Sequence, residues 1–456
     1  MNSAKLRPTR TAWQDVAWRV ARQAGSATGR SVARRLIRSG EFARAFAAAP
    51  DDVEIAIRLG LFFTAVEQIR NQKDVPDALC IEALLGAGRY EEAIARLDRS
   101  TWIRPSEKRR LAVALAAIAP ERALAFVDHD QPFEAALKMR ISDETPSLIP
   151  EEDSVECYLA LAALHSRRGC AAGAAAAIGQ AFISAGLEAP VARSLPLTTL
   201  SAECRAPVKQ GPLISVVMPL CNVAPYVEAS IRSILQQTWR NLEVIAVDDA
   251  SDDETASIVQ ALADDDTRIR LFRRSSRGGA YVTRNEGLAN ATGDFITFQD
   301  GDDWAHPQRI EKLAEHVCTG RKIVAASASW VRMDLSGQPV SVHVWPLMRW
   351  HATSTLFRRQ VLDEIGGFDP VMTGADSEFW ARIVLHYGSW RTKRLRIPLT
   401  IGLWRNDSLT GSPSTGFDQR GFSAQRLAYR EAWFARHVGT LLESRDASAL
   451  SDRLPV

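Results

Sequence analysis

In Asp294-Phe295-Ile296-Thr297-Phe298-Gln299-Asp300-Gly301-Asp302-Asp303-Trp304, an apolar run of strand length leads straight into three carboxylates within four residues. The run has the aromatic and β-branched content of a strand. Carboxylates gathered so tightly repel one another, and a divalent cation is the obvious means of holding them together. Hard oxygen donors of this kind suit Mg2+ or Mn2+, either of which can bridge to a diphosphate. The small Gly301 would let a phosphate come close. The competing account is a solvated acidic turn ahead of a helix at Pro307.

Upstream, strands and helices alternate. A strand over 213–220 ends at Cys221-Asn222 and leads to a helix over 225–237, with Val227, Ile231 and Ile234 on one face. A strand over 242–247 runs into Asp248-Asp249-Ala250-Ser251, and Asp252, Asp253 and Glu254 stand where a helix over 254–263 needs caps. A strand over 269–272, the Gly278-Gly279 loop and a helix over 281–291 complete a βαβ series. Carboxylates just past the end of a buried parallel strand stand where open α/β sheets take ligands, and can accept from a base N–H or a ribose hydroxyl. Asp and Ser also cap helices, so position alone leaves both roles open.

The chain has 456 residues, enough for two or three domains and a large core. Its 56 basic and 54 acidic side chains leave a formal charge of +2, so a surface built throughout for nucleic acid is not expected. Six cysteines, at 80, 157, 170, 204, 221 and 318, form neither a CxxC pair nor a zinc spacing, which fits a reducing compartment. No apolar stretch of signal-peptide length opens the sequence. The longest apolar run, 111–119, is about half a membrane span. A cytoplasmic protein is expected, at most peripheral on the inner face of the membrane.

Residues 1–40 hold nine basic side chains and one acid, Asp15. In the basic segment 1–34, Trp13, Val16, Ala17, Val20 and Ala24 share a helical face opposite Arg19 and Arg22. Residues 1–24 would either rest in a lipid headgroup layer as a peripheral membrane contact or dock on their own domain. Residues 35–204 have helical apolar spacing and are expected to be all-α. Gly40-Glu41-Phe42 with Ala45 resembles Gly88-Arg89-Tyr90 with Ala93, and Gly169 with Ala174 repeats the offset. Each set reads as a helical hairpin: glycine turns the chain and alanine lets two helices approach. The array is similar to tetratricopeptide repeats, although the glycines are 48 and 81 residues apart instead of multiples of about 34. Such arrays present a surface to a protein or polymer partner; a packed supporting domain is the plainer alternative. Residues 205–212 read as a linker, 213–412 as the α/β domain, and 413–456 as a helical extension. A helix over 423–437 in that extension could fold back over the site.

Taken in order, the motifs over about 212–412 resemble the family 2 inverting glycosyltransferases. The resemblance implies a GT-A nucleotide-sugar-binding domain, a Rossmann-like mixed α/β sheet, preceded by an all-α helical-hairpin domain. The family's Asp-Asp-x-Ser holds uracil and ribose, which implies Asp249 on the base with Asp248 in support, and Pro219 joins the nucleotide-binding set. The DxD motif maps onto Asp300 and Asp302. Asp300 would touch the ribose or the metal shell, Asp302 would ligate the Mn2+ or Mg2+, and Asp303 is a neighbouring candidate. Arg284 and Asn285 match the Arg-Asn of the helix facing the nucleotide. Gly366-Gly367-Phe368-Asp369 followed by Gly374-Ala375-Asp376-Ser377-Glu378 matches the later motif, in which Asp376 would be the general base. One base and one metal suffice for a single displacement with inversion.

The departures from the family are specific. Ala375 replaces the partner Glu of the base, and Glu378 could compete with Asp376. Cys221 stands where a tyrosine often stacks on uracil. The late loop, Trp404-Arg405-Asn406-Asp407-Ser408-Leu409-Thr410, lacks the family's histidine. Arg405 could still contact the diphosphate and Thr410 could hydrogen-bond it. His306, His343 and His351 are substitutes for that histidine or ordinary packing residues. Trp345, Trp350, Trp380 and Trp404 would line an acceptor groove or fill the core, and Arg349 with His351 could recognise an anionic acceptor. The resemblance thus implies metal-dependent transfer from a nucleotide-diphosphate sugar, a UDP-sugar by preference. The acceptor would be a glycan or lipid-linked sugar in cell-surface polysaccharide biosynthesis. The alternatives are a catalytically inactive nucleotide-sugar-binding scaffold whose helical domain recruits protein partners, or a nucleotidyltransferase. The last lacks a Gly-rich, Lys-containing first loop here.

Overall fold

The computed structural model describes residues 33–34, 36–37, 41–100, 103–127, 132–141, 154–192, 200–201, 211–320, 322–341, 344–412, 415–418 and 422–443. The basic segment 1–24, most of the linker (205–210) and His343 lie outside the described residues. The described residues divide into two compact units. One comprises those up to Val127, Val384–Trp390 and those after Pro413; the other runs over 128–383 with Arg391–Ser412.

The first unit is helical. Its elements are α1 (Phe42–Ala48), α2 (Val53–Arg58), α3 (Phe62–Asn71), α4 (Asp77–Gly86), α5 (Tyr90–Arg99), α6 (Pro105–Leu115) and α7 (Pro120–Leu124). Asp52 caps α2 by accepting from the Ile55 N–H at 3.1 Å. Gly88 joins α4 to α5 at φ +74°, a left-handed turn that a side chain would strain. Ala93, which follows it, is fully buried.

The C-terminal helix, Ala424–Glu443, belongs to this unit. Arg430 Nε and Nη2 donate to the Leu59 carbonyl at the end of α2, at 3.0 and 2.8 Å. Glu431 accepts from the N–H groups of Phe63 and Thr64 at the start of α3, at 2.9 and 3.3 Å. Two adjacent side chains thus satisfy the orphan carbonyl of one helix and the orphan amides of the next. Phe434 packs on Phe46 at 5.9 Å. The apolar face of this helix packs against the N-terminal helices of its own unit.

The second unit opens with α8 (Pro132–Ile141), α9 (Ser154–Arg167) and α10 (Ala171–Ser184). The α9–α10 hairpin turns at Gly169, φ +71°, and closes over the buried Ala160, Ala163, Ala174, Ala177 and Ala181. The helices expected in one domain over 35–204 are therefore shared between the two units, because α8–α10 pack with the sheet. The Glu156 carboxylate of α9 accepts from the N–H groups of Leu347 and Met348, each at 2.9 Å.

The sheet has nine strands: β1 (Ile214–Leu220), β2 (Leu242–Asp248), β3 (Ile269–Arg273), β4 (Phe295–Phe298), β5 (Trp304–Ala305), β6 (Ala325–Met333), β7 (Pro339–Val340), β8 (Met348–Arg358) and β9 (Thr392–Leu403). Their spatial order is β3-β2-β1-β4-β8-β6-β9-β5, with β7 paired to β6. Strands β3, β2, β1 and β4 are parallel; β8 is antiparallel to both β4 and β6; β9 runs parallel to β6 and antiparallel to β5. Every residue of β2 is buried, as a parallel strand covered on both faces requires. The chain steps outward from β1 to β3 and then returns to β4 on the other side of β1. That reversal creates a crevice at the carboxyl ends of β1 and β4. Among the described residues no helix is long and apolar enough to cross a membrane.

Candidate active site

The crevice opens where β1 and β4 stop pairing. Their ladder ends at Val217 opposite Phe298, two residues before Pro219. Proline has no N–H to offer a ladder, and Pro219 stands where pairing with β4 has ended and only the register with β2 continues. Beyond it the exit of β1 is tied to the exit of β2. Asn222 N–H donates to Ser251 Oγ, Asp252 N–H to Asn222 Oδ1, and Val223 N–H to Thr255 Oγ1, at 3.0, 3.0 and 2.8 Å. Asp253 Oδ1 accepts from the Thr255 N–H at 2.9 Å, the capping role expected of it.

The two carboxylates after β2 differ in what they hold. Asp249 accepts from the N–H groups of Gly278 and Gly279, both at 2.8 Å, and forms an ion pair with Arg274, whose Nε lies 2.9 Å from Oδ1. It is occupied in shaping the glycine loop. Asp248 Oδ2 accepts from the Ser251 N–H at 3.2 Å, while its Oδ1 is buried with no protein partner. Cys221 is exposed at the same edge, and partial desolvation of its thiol raises its pKa.

The acidic cluster follows β4. Asp300 pairs with Arg284, whose side chain is buried among the rings of Tyr281, Phe298 and Phe368. Asp302 Oδ2 accepts from both Nε and Nη2 of Arg405, at 3.1 and 2.9 Å. Asp303 Oδ1 accepts from the Leu403 N–H at 3.3 Å. The repulsion expected to demand a cation is thus relieved for two of the three carboxylates by arginines. Gly301 serves packing: a Cβ there would meet Leu220 Cδ2 at 2.5 Å. Burial raises the pKa of Asp302, with Arg405 opposing and Asp300 adding to the rise. Asp303 rises further, through burial and then the charges of Asp302 and Asp300.

His351, on β8, stands beside Asp303, with Nε2 4.0 Å from Asp303 Oδ2. Its ring stacks on Trp330, centroids 4.3 Å apart and planes 3° from parallel. Burial, and then Arg309, Arg332 and Arg284, hold it well below the ordinary histidine pKa, so the imidazole is neutral. Asp303 Oδ2 and both ring nitrogens of His351 are buried without a hydrogen-bond partner. Asp300, Asp303 and His351 each offer a ligand atom, and these atoms all lie within 4.8 Å of one another. Orphaned buried donors of this chemistry fit a divalent ion.

The loop before the second motif is clamped onto helix α13, Ala280–Asn290; α11 (Ala224–Leu235) and α12 (Thr255–Asp265) precede it. Asn285 Nδ2 donates to the Phe368 carbonyl and its Oδ1 accepts from the Phe368 N–H, both at 2.9 Å. The side chain is turned to the loop at 366–368, not to the acidic cluster. Phe368 packs between Tyr281, Phe298 and Phe379 at 5.5, 5.1 and 4.8 Å. Tyr281 Oη accepts from the Gly374 N–H at 3.0 Å, one residue ahead of the helix Ala375–Tyr387. This ties Asp376, in the first turn, to the helix carrying Arg284. Burial works against the Arg284 charge, but Asp300, Tyr281 and Asp376 all raise its pKa, so the two carboxylates share one cation's field. Asp376 Oδ1 accepts from the Ser377 N–H at 2.7 Å. Glu378 is buried against Arg382 at 2.8 Å, which removes it as a free base, and Ala375 is fully buried.

Other candidates fall elsewhere. His306 has both ring nitrogens engaged, by the Glu188 carbonyl and the Gln308 N–H at 3.0 and 3.2 Å, and it stacks on Phe182. It is a packing histidine. Trp345 and Trp380 are buried; Trp350 and Trp404 are half-buried under the guanidinium groups of Arg394 and Arg332, at 3.9 and 5.1 Å. Thr410 Oγ1 accepts from Arg332 at 3.1 Å. Sequence reasoning missed Tyr226, whose ring lies 5.1 Å from the Arg405 guanidinium, and Tyr281, whose hydroxyl anchors the second motif. Only their aromatic character beside a motif could have signalled them.

Fold and site together define a GT-A-like α/β domain with an acid-lined crevice. Residues 215–378 match the model of glycosyl transferase family 2. A Haemophilus influenzae protein named as an uncharacterized glycosyltransferase is 34% identical over 131 residues, 29% of this chain and 52% of its own length. The GalNAc(5)-diNAcBac-PP-undecaprenol beta-1,3-glucosyltransferase of Campylobacter jejuni is 42% identical over 93 residues, 20% of this chain and 30% of its own. The chain spans about half the length of the first relative and less of the second. Among solved structures, S. aureus TarS 1–349 in complex with UDP-GlcNAc superposes with a TM-score of 0.37 at 16% identity, over 53% of this chain and 76% of its own.

Proposed function

We propose that the second unit transfers a sugar, with inversion, from a nucleotide-diphosphate sugar to an acceptor hydroxyl. The donor is a UDP-sugar by preference, and the acceptor is a glycan or lipid-linked sugar of cell-surface polysaccharide biosynthesis. The observation that carries this is the tie between the two motifs. Tyr281, Asn285 and Arg284 on one helix hold Asp376 and Asp300 in a single electrostatic environment at the switch point.

Asp376 is the base. Its Oδ1 is steadied by the Ser377 N–H, which leaves Oδ2 to take the proton of the attacking hydroxyl. Asp248, with one orphaned oxygen, accepts from the nucleoside, and Asp249 shapes the glycine loop beside it. Arg405, held in place by Asp302, contacts the diphosphate. A divalent ion, Mn2+ or Mg2+, would be held by the acidic cluster and would supply positive charge to the leaving diphosphate. The undecaprenol-linked substrate in the name of the Campylobacter relative supports a lipid-linked acceptor. The helical hairpins of the first unit, in tetratricopeptide-like fashion, would hold a protein partner, and residues 1–24 would contact the membrane surface.

The test is donor hydrolysis by the purified chain with Mn2+ and a panel of UDP- and GDP-sugars, with and without EDTA. Metal-dependent hydrolysis, together with transfer to an acceptor that is lost in Asp376→Asn, supports the reading. A second reading, a nucleotide-sugar-binding scaffold, draws on the arginine pairs that already occupy Asp300 and Asp302. Nucleotide binding without turnover would favour it.

A further inference from the structure

We propose that His351 is a nitrogen ligand of the divalent ion, completing a set with the carboxylates of Asp300 and Asp303 while Asp302 stays with Arg405. The proposal rests on the transferase reading for the ion's presence and adds which groups hold it.

Four observations carry it. His351 is 3% exposed, and neither ring nitrogen has a partner. A buried imidazole is costly to keep unpaired and demands an explanation. The oxygen of Asp303 facing it is likewise orphaned. Their separation of 4.0 Å is too long for a hydrogen bond, yet within the span of two donors on one ion. Donors held at about 2.0–2.2 Å from a first-row ion lie at most roughly 4.4 Å apart. The 4.8 Å limit containing the Asp300, Asp303 and His351 donors therefore needs only a small inward shift.

The ring's direction is fixed beforehand by the parallel stack on Trp330, which limits the reorganisation that binding requires. Asp302 is the weaker candidate because one of its oxygens already receives two guanidinium N–H groups. Arg309 and Arg332 also lie within electrostatic reach of Asp303, so the ion's charge is partly opposed. A neutral nitrogen donor adds affinity there without adding charge. An imidazole among carboxylates shifts preference from Mg2+ toward Mn2+.

The experiment uses the full chain and Mn2+ alone. Free Mn2+ is titrated by electron paramagnetic resonance, and the bound ion is examined by pulsed methods for coupling to a 14N nucleus. The expected result is tighter binding of Mn2+ than of Mg2+, with nitrogen coupling in the wild type. His351→Gln and His351→Asn should weaken Mn2+ binding by at least about tenfold and abolish the coupling, with circular dichroism confirming the fold. If neither variant folds, the wild-type coupling decides. Bound Mn2+ without nitrogen coupling, coupling that survives both folded variants, or no Mn2+ binding would each overturn the assignment. Mn2+-dependent donor hydrolysis without nitrogen coupling would sink the His351 assignment and leave the transferase reading standing.

Discussion

Asn285 offers a perturbation whose two accounts predict opposite results. The family resemblance puts it toward the nucleotide, whereas its amide spends both ends on the Phe368 backbone, at 2.9 Å each. Asn285→Ala removes two hydrogen bonds in a partly buried setting. At about 1 kcal/mol net per bond, the loop at 366–368 loses about 2 kcal/mol of local stability. That is a roughly 30-fold increase in the open population, since about 1.4 kcal/mol is a factor of ten. The Phe368 amide should therefore exchange about 30-fold faster, read by hydrogen–deuterium exchange on a peptide covering 366–372. UDP affinity, measured by calorimetry, should change less than about threefold, or about 0.7 kcal/mol. Transfer should fall, because the loosened loop leads to Asp376. Unchanged exchange at Phe368 together with a tenfold loss of UDP affinity would refute the clamp and restore the nucleotide contact.

Three other outcomes are expected. Asp376→Asn should bind donor as the wild type does while transfer falls by about 10²–10⁴-fold, the usual share of a general base; near-normal transfer would remove Asp376 from the mechanism. Arg284→Ala leaves Asp300 without its partner and the aromatic nest without its cation, and should destabilise the second unit by about 3 kcal/mol. The Arg284→Ala/Asp300→Ala double variant should recover part of that loss in thermal unfolding, and strict additivity would show that the pair is not coupled. Burial pushes the Glu431 carboxyl up to about 7, against the N–H groups and hydroxyl that favour its charge. A pKa raised by folding means stability that is full below the ordinary 4.5 and lost as pH rises through about 7, on the order of 2–3 kcal/mol. Glu431→Gln should flatten that slope in the first unit's unfolding between pH 5 and 8, with Glu82, also near 7, keeping its own share. An unchanged slope would place the titration elsewhere.

What the sequence disclosed and what it concealed follow from the range of the interactions involved. The parallel half of the sheet was legible because each strand carries its own apolar run, and Asp253 ahead of Thr255 marks where one helix starts. The antiparallel half was not. Strand β6 reads Ala-Ala-Ser-Ala-Ser-Trp-Val-Arg-Met, a composition of low strand propensity, and β9 carries Pro398 where its pairing with β6 is irregular. These residues become strands because flanking partners bury them, a tertiary effect that no local pattern records. The site divides along the same line. Acids at a strand end were visible as a motif, but their partners were not: Arg405 lies 103 residues from Asp302 and Asn285 lies 83 from Phe368. The family motifs therefore assigned Asp249, Arg284, Asn285 and the acidic cluster to the ligand. The fold instead divides them. Asp249, Asn285 and Gly301 hold the protein's own loops together, whereas one oxygen each of Asp248 and Asp303 and the ring nitrogens of His351 are buried without a hydrogen-bond partner. In such a crevice the residues most exposed to selection for binding are those the protein leaves unsatisfied, and they are found only by following every hydrogen bond to its end.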